Sequence, residues 1–137
     1  MQVNPYLFYD GNCEEALKYY QKVLGARIEA MLPYEGGPAE MPIPADYKKK
    51  IMHARLTIDG EVLMASDAPP EHYNKPQGFS VSLTVEDPVD AERKFKALSE
   101  GGSTSMPFSK TFFSKGFGTC VDQFGIPWMV NCPMDDM

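Results

Sequence analysis

The same helix signature occurs twice in this chain, 75 positions apart, and each copy is framed by strand-like runs in the same order. Asn12 with Glu15 three residues on has the form of a capping box. Ala16, Leu17, Tyr20, Val23 and Leu24 then recur at helical spacing until Gly25 closes the segment. Seventy-five residues later Asp87 stands at the cap, Pro88 in the first turn, and Ala91, Phe95 and Leu98 on one face up to Gly101-Gly102.

A strand-like run precedes each helix, Val3 to Tyr9 and Phe79 to Val85, and three follow it. After the first helix these are Arg27 to Leu32, Ile51 to Ile58 and Glu61 to Ser66, the last two joined at Asp59-Gly60, a strong hairpin signal. After the second they are Thr104 to Phe108, Phe117 to Val121 and Ile126 to Cys132. A shift of 65 superposes Gly60 on Gly125 and Met64 on Met129, so the last strands of the two halves also match. The expected architecture is α+β, two βαβββ repeats forming a curved mixed sheet around a cleft. Repeat one covers about 1–67, a linker 68–78, and repeat two about 79–132.

At 137 residues, with 43% hydrophobic and 23% charged, the chain is expected to form one compact domain with a real core. Net charge is −6, and the few basic residues are scattered apart from Lys48-Lys49-Lys50, which argues against nucleic acid as a partner. The start Met1-Gln2-Val3-Asn4-Pro5 lacks a signal-peptide pattern and no apolar run is long enough to span a bilayer, so a cytoplasmic protein without a membrane partner is expected. Cys13, Cys120 and Cys132 are read as free, buried thiols rather than a disulfide framework.

Strand alternation sorts side chains onto two faces. Val3, Leu7, Leu63, Ala65, Val81, Leu83, Val85, Trp128 and Val130 form an apolar set expected under the helices. Asn4, Tyr6, Phe8, Met64, Ser66, Ser80, Ser82, Thr84, Met129 and Asn131 form the opposite face, a mixed polar and aromatic set suited to a ligand cleft. In the run Ile51 to Ile58, Met52, Ala54, Leu56 and Ile58 are assigned to the apolar side, which turns His53, Arg55 and Thr57 towards the cleft. Histidine suits general-base chemistry and arginine clamps a carboxylate or phosphonate, so His53 and Arg55 are the candidate catalytic pair. Their alternative reading is a histidine bonded across the sheet and an arginine at its rim. His72 reads as solvated. The Pro- and Gly-rich stretch Pro33 to Lys50, with Tyr34, Met41 and Tyr47 among Pro38, Pro42 and Pro44, reads as a loop that is either a lid or partner contact or a plain insertion.

The helix Glu15-Ala16-Leu17-Lys18-Tyr19-Tyr20-Gln21-Lys22-Val23-Leu24-Gly25 resembles that of the glyoxalase/bleomycin-resistance, or vicinal oxygen chelate, superfamily. Met52-His53-Ala54, Leu63-Met64-Ala65-Ser66-Asp67, Met106-Pro107, Phe117-Gly118 and Asp122 to Asn131 resemble its PhnB-like branch. Phe113-Ser114 departs from the Trp-Gly common there. The resemblance implies small-molecule binding and a homodimer. Metal-dependent relatives carry His and Glu ligands at the places that Asn4, Met64, Ser80 and Met129 occupy here, and none of these four suits a hard or borderline ion. The expectation is therefore a small-molecule binding protein with no metal and no cofactor. The alternative is an isomerase or lyase of the same superfamily with His53 as base, possibly metal-assisted.

Overall fold

The computed structural model describes residues 1–36 and 44–135. Pro38, Met41 and Pro42 of the long Pro-rich stretch lie outside the described residues. The chain divides into two compact units, Met1–Asn74 and Lys75–Met137, and the division falls inside the stretch read as the linker. Each unit is a βαβββ repeat built on a four-stranded mixed sheet with one long helix. No helix among the described residues is long and apolar enough to cross a membrane.

In the first unit β1 (Tyr6–Tyr9), α1 (Cys13–Leu24), β2 (Arg27–Pro33), β3 (Ile51–Ile58) and β4 (Glu61–Asp67) give a sheet of order β1-β4-β3-β2. β1 runs parallel to β4, and the other pairs are antiparallel. The β3 to β4 hairpin closes at Asp59-Gly60, both with positive φ, as the sequence requires. In the second unit β5 (Val81–Thr84), α2 (Pro88–Ser99), β6 (Ser103–Ser109), β7 (Ser114–Val121) and β8 (Pro127–Pro133) repeat the pattern as β5-β8-β7-β6.

Ala16, Leu17, Tyr20 and Leu24 of the stripe expected on α1 are buried, Val23 only partly so, and on α2 Ala91, Phe95 and Leu98 are all buried. Beneath lie Leu7, Leu63 and Ala65 in one unit and Val81, Trp128 and Val130 in the other, all buried. Asp87 caps α2 by accepting from the Asp90 amide at 2.9 Å. Asn12, by contrast, makes no side-chain cap, which corrects the capping box read there. Asp67, at the end of β4, instead accepts from the Cys13 amide at 2.9 Å.

Two strands start later than the apolar runs suggest. β1 begins at Tyr6 rather than Val3, and β5 at Val81 rather than Phe79. Pro5 can accept from the Met64 amide through its carbonyl but has no N–H to return, and Pro127 at the start of β8 has none either. Val3 is consequently 90% exposed, not part of the core face. β3 departs from strict alternation at its first residues. Ile51 is buried and Met52 only partly so, next to a register shift between Leu32 and Pro33 on β2.

Candidate functional site

Parallel pairing of β1 with β4 sets Tyr6 beside Met64 and Phe8 beside Ser66, and antiparallel pairing sets Arg55 of β3 on the other side of Met64. His53 lies two residues along β3 towards the Ser66 end. Six of the residues assigned to the cleft face therefore come together on one sheet: Tyr6, Phe8, His53, Arg55, Met64 and Ser66.

One side-chain contact on this face spans β4. Tyr6 Oη lies 3.1 Å from His53 Nδ1, with ring centroids 5.9 Å apart. Phe8 continues the row, its ring 5.0 Å from that of Tyr6, and is half exposed. Beside it opens a cavity of about 410 Å³ lined by Phe8, Tyr34, Ser66, Ala68, Pro69, His72 and Asn74. That size suits a small organic ligand.

Of these lining residues sequence reasoning assigned only Phe8 and Ser66 to the site; Tyr34, Ala68, Pro69, His72 and Asn74 were left out, Tyr34 and His72 being the two with polar ring groups. Tyr34 follows β2 and is buried, its hydroxyl donating to the Asp67 carbonyl at 2.7 Å. Burial and the nearby Asp67 push its phenol above the usual range, so the hydroxyl stays a donor. Tyr47 from the same Pro-rich stretch donates to the Ala68 carbonyl at 2.6 Å and packs against the Tyr34 ring at 5.8 Å. A sequence signal was present: two tyrosines in a Pro-rich loop need an apolar place for the ring and a partner for the hydroxyl. His72 ends a single 3₁₀ turn, Pro70–His72, and is exposed as read, yet it borders the cavity.

Of the remaining predicted residues, Asn4 belongs to the first unit and Ser80, Ser82, Met129 and Asn131 to the second. Asn4 precedes β1 and donates to Gln2 at 3.3 Å. In the second unit Ser80 precedes β5 and is exposed, as is Ser82, which pairs with Met129. Asn131 pairs with Thr84, and its side-chain oxygen is buried without a hydrogen-bond partner.

A larger depression of about 640 Å³ lies at the start of α1, lined by charges of both signs. Part of that charge is already engaged, Lys18 with Glu14 at 2.7 Å and Lys50 with the Gly11 carbonyl at 2.7 Å. The smaller cavity, walled by Phe8 and Tyr34, has the better chemistry for an organic ligand.

The four positions that correspond to the metal ligands of metal-dependent relatives carry donors that do not fit such an ion. Met64 and Met129 offer thioethers, Asn4 and Ser80 neutral oxygens. Among the described residues no group of three or more His, Cys, Asp and Glu is arranged to hold a metal ion.

Residues 1–131 match the family described as 3-demethylubiquinone-9 3-methyltransferase. The YjdN protein of Escherichia coli (strain K12) is 34% identical over 142 residues, covering 96% of this chain and 95% of that protein. Protein PA1353 of Pseudomonas aeruginosa, a crystal structure, superposes with a TM-score of 0.86 at 48% identity, over 98% of this chain and 99% of that one. The PhnB protein of Bacillus cereus shares the fold with a TM-score of 0.81 at 23% identity, over 96% and 99% of the two chains.

Proposed function

This chain belongs to the 3-demethylubiquinone-9 3-methyltransferase family, the PhnB-like branch of the glyoxalase/bleomycin-resistance superfamily. From that membership we propose that it binds a small organic molecule, without a resident metal, on the Tyr6, Phe8 and His53 face of its first sheet. The observation that carries this reading is the Tyr6 to His53 contact at 3.1 Å, next to an aromatic-walled cavity. A cavity with apolar walls and a few orienting polar groups is the general form of a small-molecule site.

The family's description names a methyl transfer. Its usual donor, S-adenosylmethionine, bound in the Rossmann manner would require a Gly-rich strand-to-helix turn on a parallel sheet. The turn between β1 and α1 is Asp10-Gly11-Asn12, with one glycine, and each sheet has one parallel pair. The residues present do not form a Rossmann-type site for that donor, and the reading contains no methyl-transfer step.

The state of the His53 ring separates binding from catalysis. If Tyr6 donates to Nδ1, a neutral ring carries its proton on Nε2 and offers an N–H to a ligand. If Nδ1 instead carries the proton and donates to Tyr6, Nε2 presents a lone pair and can act as a general base in an isomerase or lyase. Nitrogen-15 NMR of the imidazole reads the tautomer directly.

The reading is tested by titrating the protein with a set of small aromatic compounds and following backbone amide shifts. Shifts clustered on Tyr6, Phe8, Tyr34, Ser66 and His72 are expected. Shifts elsewhere, or none with any compound, would overturn the binding reading. Metal analysis of the native protein tests its other half, and one equivalent of Ni²⁺, Zn²⁺ or Mn²⁺ per chain would sink it. The homodimer implied by the superfamily belongs to the same reading and is checked by light scattering.

A further inference from the structure

Arg55 has no ion-pair partner among the described residues, although it is exposed on the face that carries Tyr6 and His53. Its in-register neighbours are Met64 on β4 and Ala30 on β2, both uncharged. The carboxylate nearest along β2, Glu29, is engaged by the Thr57 hydroxyl at 3.1 Å. Among the described residues the guanidinium is thus left without a partner for its donors, one row of the sheet away from the Phe8 and Ser66 pair that lines the cavity.

Resting on the small-molecule reading above, we propose that the ligand class is a planar aromatic carboxylate. Its ring lies against Phe8 and Tyr6, and its carboxylate is held by Arg55 and by His53 Nε2. An exposed phenyl ring 5.0 Å from a second aromatic ring is a ready platform for a flat ligand. Guanidinium matches a carboxylate with two parallel N–H donors, a geometry no ammonium or neutral amide reproduces. In the tautomer where the Tyr6 hydroxyl donates to Nδ1, His53 carries its proton on Nε2 and supplies a third donor for the anion. The overall charge of −6 would repel an anion at long range, so selectivity for one must come from these local donors.

The test compares naphthoate with its neutral isostere naphthamide by amide-shift titration of the full-length protein. Naphthoate is expected to bind at least about tenfold more tightly, and Arg55→Gln to bring it down to the naphthamide level. Arg55→Lys, which keeps the charge but loses the planar fork, should fall in between. Lys22→Gln, on the exposed side of α1, removes the same charge at a distance and should leave naphthoate affinity unchanged. Equal affinity of the two probes, or an unaltered preference in Arg55→Gln with native spectral dispersion, overturns the carboxylate assignment while the binding reading stands. Failure of both probes to shift Tyr6, Phe8 and Ser66 overturns the carboxylate assignment and removes support from the binding reading together.

Discussion

Asp67 Oδ1 accepts a hydrogen bond from the Cys13 amide at 2.9 Å, tying the last residue of β4 to the first residue of α1. The other carboxylate oxygen accepts from the Ile51 amide at 2.8 Å, and the side chain is 1% exposed. One buried carboxylate therefore joins the starts of a helix and a strand that are far apart in sequence. Asp67→Asn replaces one acceptor oxygen by an amino group facing a backbone N–H. It should cost about 3 kcal/mol of stability, since buried donors facing a lost charged acceptor are expensive. Urea denaturation followed by circular dichroism measures it, and a loss below about 1 kcal/mol would contradict the role assigned to this residue.

Cys13, Cys120 and Cys132 are all buried and free, as the sequence suggests. Burial, with Asp67 and Glu14 nearby, pushes the Cys13 thiol far above its ordinary range. Burial and then Asp122 push Cys120 from 9.0 up to about 11. Since the thiolate is the nucleophile, Cys13 and Cys120 should not react with a disulfide reagent at pH 8 until the protein is denatured, and Cys132 is shielded from the reagent by its complete burial. The same shifts set an alkaline limit. Between pH 9 and about 11 the unfolded chain releases thiol protons that the folded one retains, so the Cys120 contribution is intact below pH 9 and lost by about pH 11. Tyr47, raised from 10.0 to about 12 by burial and then by Asp67 and other nearby groups, extends the decline. Urea midpoints across this range should fall steadily, and a flat profile would refute the prediction.

Gly102 permits a close approach of backbone to backbone. A Cβ there would lie 2.0 Å from the Val121 carbonyl oxygen and 2.7 Å from the Asp122 carbonyl carbon. Gly102→Ala should therefore destabilise the protein by about 3 kcal/mol through forced separation of β6 from the β7 end. Gly60→Ala, at a turn with open space around the Cβ, meets only the strain of its positive φ and should cost less. Thermal melts of the two variants compare them directly.

The doubled βαβββ order, both helices, both hairpin turns and most of the core face were legible in the sequence, because period and turn chemistry are local properties. Leu7, Leu63, Trp128 and Val130 are buried where alternation assigns them. The pairing of Tyr6, Phe8, His53 and Ser66 on one face was legible for the same reason. What local pattern misjudged were places where a distant partner decides. Asn12 has the form of a cap, but Asp67 arrives from β4 and takes the Cys13 amide. Val3 continues an apolar run, but the prolines at positions 5 and 127 withhold the N–H groups that longer β1 and β5 ladders would use. Tyr34 and His72 enter the cavity wall only because the chain after β2 and after β4 folds back to the same edge of β1 and β4. The sequence by itself determined the repeat and its two faces. Only the tertiary structure decided which side chains meet, because strand register and hydrogen bonds between segments far apart in the chain are fixed when the sheet assembles.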